Sequence, residues 1–91
     1  MRAMNPDMVP QQATRVVAQQ AAGQWVLLDI QSGQYFSLDP VGGRIWQLCD
    51  GTRSVRQIAE VVSDEFDTEG QSVEDDVAGL VSELVGESLL V

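Results

Sequence analysis

One cysteine and no histidine limit the chemistry open to this 91-residue chain. Without an imidazole, neither a Ser nor a Cys triad has its ordinary base. Cys49 falls on the apolar side of a short helical pattern, near its C-terminus. A helix dipole disfavours a thiolate there, so Cys49 reads as a small buried hydrophobe. A lone cysteine also forms no intrachain disulfide. Asp64, Glu65, Asp67 and Glu69 are near one another, but they lack the alternating order of a calcium loop. Gly42 and Gly43 have no Lys-Ser/Thr behind them, so they make no phosphate loop. They read as places where another element packs close. No catalytic residue, metal or cofactor is expected, and the chain is expected not to be an enzyme.

The charge narrows the partners. The formal net charge is −9, with Arg2, Arg15, Arg44, Arg53 and Arg56 as the only basic side chains. Beyond Arg56 every charged side chain is acidic. Such a field repels nucleic acid and anionic membrane and favours neutral or basic partners. Met1 to Pro10 lacks the apolar run of a signal peptide, and no stretch is apolar enough to span a bilayer. The expected location is cytoplasmic.

The elements follow from periodicity and punctuation. Met1 to Gln12, with Pro6 and Pro10, reads as a flexible arm ahead of one domain over residues 13–91. Three strands are expected, over Thr14–Gln19, Gln24–Ile30 and Gln34–Leu38. In the second, Val26, Leu28 and Ile30 share one face and Trp25, Leu27 and Asp29 the other. Gly33 supplies the positive φ of a tight turn into the third. There Tyr35 and Ser37 share one face and Phe36 and Leu38 the other. Asp39 caps a helix and Pro40 opens it, so the chain turns helical before it can supply a fourth strand.

That first helix runs to about Cys49 on Val41, Ile45, Leu48 and Cys49, and Asp50-Gly51 stops it. The second starts at Ser54 with Gln57 at the capping-box position, and carries Val55, Ile58, Ala59, Val62 and Phe66 on one face. The third runs from Ser72, with Asp75 as its capping-box partner, to about Ser88. Its arc is Val73, Val77, Leu80, Val81, Leu84 and Val85, flanked by Asp76, Glu83 and Glu87. Leu89-Leu90-Val91 is expected to fold back on the core. The fold class is α+β: a three-stranded antiparallel sheet followed by three helices, like a winged helix-turn-helix.

Such a fold invites comparison with DNA-binding domains, but a recognition helix brings basic or amide groups to DNA. The third helix offers Glu74, Asp75, Asp76, Glu83 and Glu87 instead. The stronger feature is the last strand, whose outer edge has no following strand to pair with. An extended peptide can add there as a further strand. If the third helix packs alongside, Val77, Leu80 and Leu84 floor a groove, and Asp76, Glu83 and Glu87 can meet basic peptide residues. The alternatives are an edge covered by the N-terminal arm or by a second copy, which would make the domain a self-associating module.

The run Val26-Leu-Leu-Asp29, Gly33-Gln-Tyr35-Phe-Ser-Leu38-Asp-Pro40-Val-Gly42-Gly-Arg44-Ile45-Trp46, Asp50-Gly51 and Ser54-Val55-Arg-Gln-Ile58 resembles the PqqD-like family. The resemblance covers roughly Gln24 to Val91. It implies a domain that holds the leader of a ribosomally made precursor peptide between the third strand and the third helix. By position, the implied peptide-binding residues are Gln34, Tyr35, Phe36, Ser37 and Leu38 on the strand. On the helix they are Val73, Asp76, Val77, Leu80 and Leu84, with Glu83 added from the charge argument. The Tyr-Phe-x-Leu-Asp-Pro-x-Gly form is most similar to the discrete leader-binding proteins of lasso-peptide pathways. It implies a precursor leader, a leader peptidase and a cyclase as partners, and a monomer or weak homodimer. Asp39 and Gly43 depart from the Asn and Ala usual in the pattern. The family also includes the chaperone of the pyrroloquinoline quinone precursor, which works with a radical SAM enzyme.

Overall fold

Alternation along the strands decides which face of the sheet meets the helices. The computed structural model describes residues 7–66 and 70–91. Three strands, β1 (Val16–Ala21), β2 (Gln24–Asp29) and β3 (Tyr35–Leu38), form an antiparallel meander in the order β1-β2-β3. Opposite pairs include Trp25 with Leu38 and Leu27 with Phe36 on the face turned to the helices, where Leu27 is fully buried. Val26 with Ser37 and Leu28 with Tyr35 lie on the other face, where Val17, Leu28 and Tyr35 are exposed. Gly33 has the expected positive φ, 80°. Each strand is displaced by no more than two residues from its expected span, because turn chemistry sets ends less sharply than alternation sets faces.

Three helices follow: α1 (Pro40–Leu48), α2 (Val55–Phe66) and α3 (Gly70–Gly86). Asp39 caps α1, its Oδ1 accepting from Gly42 N at 2.7 Å. The α2 capping box is reciprocal: Gln57 N donates to Ser54 Oγ at 3.1 Å, and Ser54 N donates to Gln57 Oε1 at 2.9 Å. The expected start of α3 at Ser72 is two residues late, since the helix already begins at Gly70. The proposed cap, the side chain of Ser72, lies outside the described residues, as do Asp67 and Glu69 of the carboxylate cluster.

The core joins Leu27 of the sheet to Ile45, Trp46 and Leu48 of α1, Val55, Ile58 and Val62 of α2, and Val73, Val77, Val81 and Leu84 of α3. Trp46, absent from the expected apolar set of α1, is 2% exposed, whereas Val41 and Phe66 lie at the surface. Gly43 is the contact between layers: a Cβ built there would stand 1.9 Å from Trp25 Cδ1. Glycine lets α1 lie against the indole of β2.

The expected arm over 1–12 is part of the fold from Met8 onward. Val55 N donates to Met8 O, Gly51 N to Pro10 O, and Gln12 N to Cys49 O. Gln11 and Val91 exchange two backbone bonds, at 3.0 and 2.8 Å, and Ala13 N donates to Leu89 O. Leu89 and Leu90 are buried, so the C-terminal tail folds back as expected. The reason the segment is ordered is not local. Its backbone groups are satisfied by two distant stretches, which hold a segment that has no periodicity of its own.

Candidate functional site

Ladder parity determines what β3 leaves open. Asp29 N donates to Gln34 O at 2.9 Å, so this opposed pair is of the hydrogen-bonded kind. In an antiparallel ladder that kind recurs at every second pair. Phe36 and Leu38, in the same register, therefore turn their backbone groups to β2. Tyr35 and Ser37 turn theirs outward, to the edge with no neighbouring strand.

Beside that edge lies a groove of about 420 Å³ between β3, α1 and α3. α1 packs under β2 and β3, and α3 packs chiefly on α2, so β3 and α3 form opposite walls. Phe36, Ser37 and Leu38 line the strand wall, and Asp76, Leu80, Glu83 and Leu84 line the helix wall. Their spacing, i, i+4, i+7 and i+8, places all four on one helix face. The α1 end adds Asp39, Val41, Gly42 and Ile45.

The groove thus unites seven of the eleven expected residues. Gln34 is exposed just before β3, and Tyr35 points to the opposite sheet face. Val73 and Val77 are core residues, 6% and 0% exposed, and do not line the groove. On a helix whose apolar arc is wide, the middle of the arc meets the body of the protein and only its flank can meet a ligand. Glu87, expected on the same rim, is exposed but outside the groove lining. Sequence reasoning missed Val41 and Ile45 as groove residues; their i, i+4 spacing on one face of α1 was the available signal.

The charges divide clearly. Among the described residues every arginine meets a carboxylate: Arg15 with Asp29 at 3.1 Å, Arg44 with Glu65 at 2.8 Å, Arg53 with Asp50 at 3.3 Å and Arg56 with Asp7 at 2.8 Å. Of the groove acids, Asp39 is engaged in capping α1, while Asp76 and Glu83 have no partner among the described residues. Cys49 is fully buried, and burial, with the Asp50 charge adding to it, pushes its thiol up to about 12. It is protonated at neutral pH and carries no nucleophile. Among the described residues no group of His, Cys, Asp and Glu has metal-site geometry.

Known proteins place this architecture. The profile of PqqD, Coenzyme PQQ synthesis protein D, matches residues 24–90. The chain belongs to the PqqD family. The PqqA binding protein of Xanthomonas oryzae pv. oryzae (strain PXO99A) is 37% identical over 76 residues, covering 84% of this chain and 80% of that protein. Among solved structures, TbiB1 in complex with the TbiA(beta) leader peptide is 31% identical with a TM-score of 0.77, covering 88% of this chain and 93% of the other. Lasso peptide synthetase B1 complexed with its leader peptide is 25% identical, with a TM-score of 0.80 over 92% and 99% of the two chains. The PqqD part of Methylobacterium extorquens PqqCD, a stand-alone RiPP recognition element, has a TM-score of 0.81 over 98% of this chain and 95% of that one. At 24% identity it bears on the fold alone. The three-strand, three-helix order is thus the PqqD fold.

Proposed function

We propose that this PqqD-family domain is a non-catalytic recognition element. It captures the leader of a ribosomally made precursor as an added strand and delivers it to modifying enzymes. The observation that carries this reading is the open edge of β3 beside the groove. Tyr35 and Ser37 offer their backbone groups outward, and Phe36, Leu38, Leu80 and Leu84 line an apolar trough alongside. Backbone pairing supplies affinity whatever the peptide's side chains, and the trough supplies selection. Holding the leader raises the effective concentration of the attached core at an enzyme bound to the same domain.

The pathway we favour is a lasso-peptide one, with a leader peptidase and a cyclase as partners. The likeness to lasso peptide synthetase B1 complexed with the leader peptide supports it. A second reading is favoured by the 37% identity to a PqqA binding protein: delivery of a quinone-cofactor precursor to a radical SAM enzyme.

The test is fluorescence anisotropy with labelled leader peptides of both kinds, encoded beside the gene. Saturable binding at micromolar or tighter to one kind supports leader capture and selects the pathway. Ser37→Pro removes an edge N–H without touching the ladder to β2, and is expected to weaken binding about tenfold while the domain stays folded. Undiminished binding in folded Ser37→Pro removes the strand-addition role.

A further inference from the structure

The geometry points to a cation in the captured peptide: the leader presents a Lys or Arg to Asp76 and Glu83 across the groove from β3. This rests on the leader-capture reading above and specifies its ligand. Among the described residues the four arginines are each held by an acid, so none is left to neutralise the helix wall. Asp76 and Glu83 line the groove without a partner among the described residues, on either side of Leu80. They are two helical turns apart, about 10.5 Å along the axis. An extended chain covers that rise in about three residues. A long basic side chain from the added strand reaches either acid while its methylenes lie over Leu80 and Leu84.

The occupied groove is also drier than the open one. Adding a strand against β3 brings peptide backbone over both carboxylates and strips part of their water. A neutral or acidic segment would leave them uncompensated, whereas a basic one pairs them. The acids therefore select as well as attract, rejecting leaders that carry Asp or Glu at the facing positions.

A displayed library of random 12-residue peptides, selected on the full-length protein at low salt, tests this. Two double variants are selected in parallel. Asp76→Asn/Glu83→Gln removes the groove charges, and Glu60→Gln/Asp64→Asn removes the same two charges from α2, away from the groove. Both lower the net charge equally. The expected result is Lys or Arg enriched at a constant offset from the apolar positions on wild type and on the Glu60/Asp64 variant, but not on the Asp76/Glu83 variant. A synthetic peptide of the selected sequence should bind the Asp76/Glu83 variant about tenfold more weakly at low salt, with a flatter salt dependence. Apolar enrichment that persists without any basic preference on wild type overturns the cation proposal and leaves leader capture standing. Basic enrichment that is equal on both double variants also overturns it, since net charge alone would then be the cause. Selection of no peptide sensitive to Ser37→Pro overturns leader capture, and the cation proposal with it.

Discussion

At the scale of single residues, Gly43 and Cys49 show how packing decides what a side chain can be. Gly43 stands where any Cβ would press into the Trp25 indole, close to the ring's attachment and far from any flexible end. Gly43→Ala is expected to destabilise the domain by about 1–3 kcal/mol, despite alanine's better helix propensity. Urea denaturation measures the loss, and Trp25→Ala/Gly43→Ala should recover part of the added penalty. Cys49 makes a different prediction. Its thiol ordinarily ionises near 9, and burial raises it to about 12. The unfolded chain thus loses its proton first, and stability present below pH 9 declines as the pH rises from there toward 12. Native protein should react slowly with a thiol reagent at pH 8, and at full rate in denaturant; a fast native reaction would remove Cys49 from the core.

At the scale of elements, the helix starts carry the sharpest local signals. Ser54 and Gln57 satisfy each other's backbone donors, so Ser54→Ala is expected to cost about 1 kcal/mol in denaturation experiments. The β2–β3 hairpin is held by Asp29. Burial opposes its charge, but backbone donors at Gln31 and Ser32, with Arg15, outweigh that and hold the carboxyl below its ordinary value. A carboxylate depressed in this way stabilises the fold above pH 4, and that stability is lost as pH falls through its folded value. The unfolding free energy of Asp29→Asn, measured by urea denaturation across that window, should depend less on pH than that of the wild type.

At the scale of the whole molecule, the N-terminal segment and the C-terminal tail close the structure together. Met8, Pro10, Gln11, Gln12 and Ala13 bond to the α1–α2 loop, the start of α2 and the last three residues. A chain shortened to begin at Thr14 is expected to lose on the order of 3 kcal/mol, from several backbone bonds and the buried Pro10 and Ala13. Thermal unfolding of the two chains measures this, and equal midpoints would return the segment to the status of an arm. The net charge of −9 also acts at this scale. Self-repulsion should make the domain more stable in 0.5 M salt than at low ionic strength.

Local sequence was enough for the class of fold, the faces of the strands and the end of the sheet at Leu38. Each of these is written in nearest neighbours: alternation in Gln24–Asp29, a cap and proline at Asp39-Pro40, the Ser54 and Gln57 box. The open edge was legible for the same reason, because a helix start at once after a strand leaves no fourth strand to come. Tertiary structure alone decided the rest. Val73 and Val77 share a helix arc with Leu80 and Leu84, and only the seating of α3 sent the first pair inward and left the second beside β3. The arginines could have neutralised any of fourteen acids. Which ones they meet depends on pairings across 14, 21 and 49 residues, and these leave Asp76 and Glu83 unpaired among the described residues. Contacts between distant stretches leave no periodic trace along a chain, so the ordered N-terminal segment and the charge of the groove emerge only once the helices are packed.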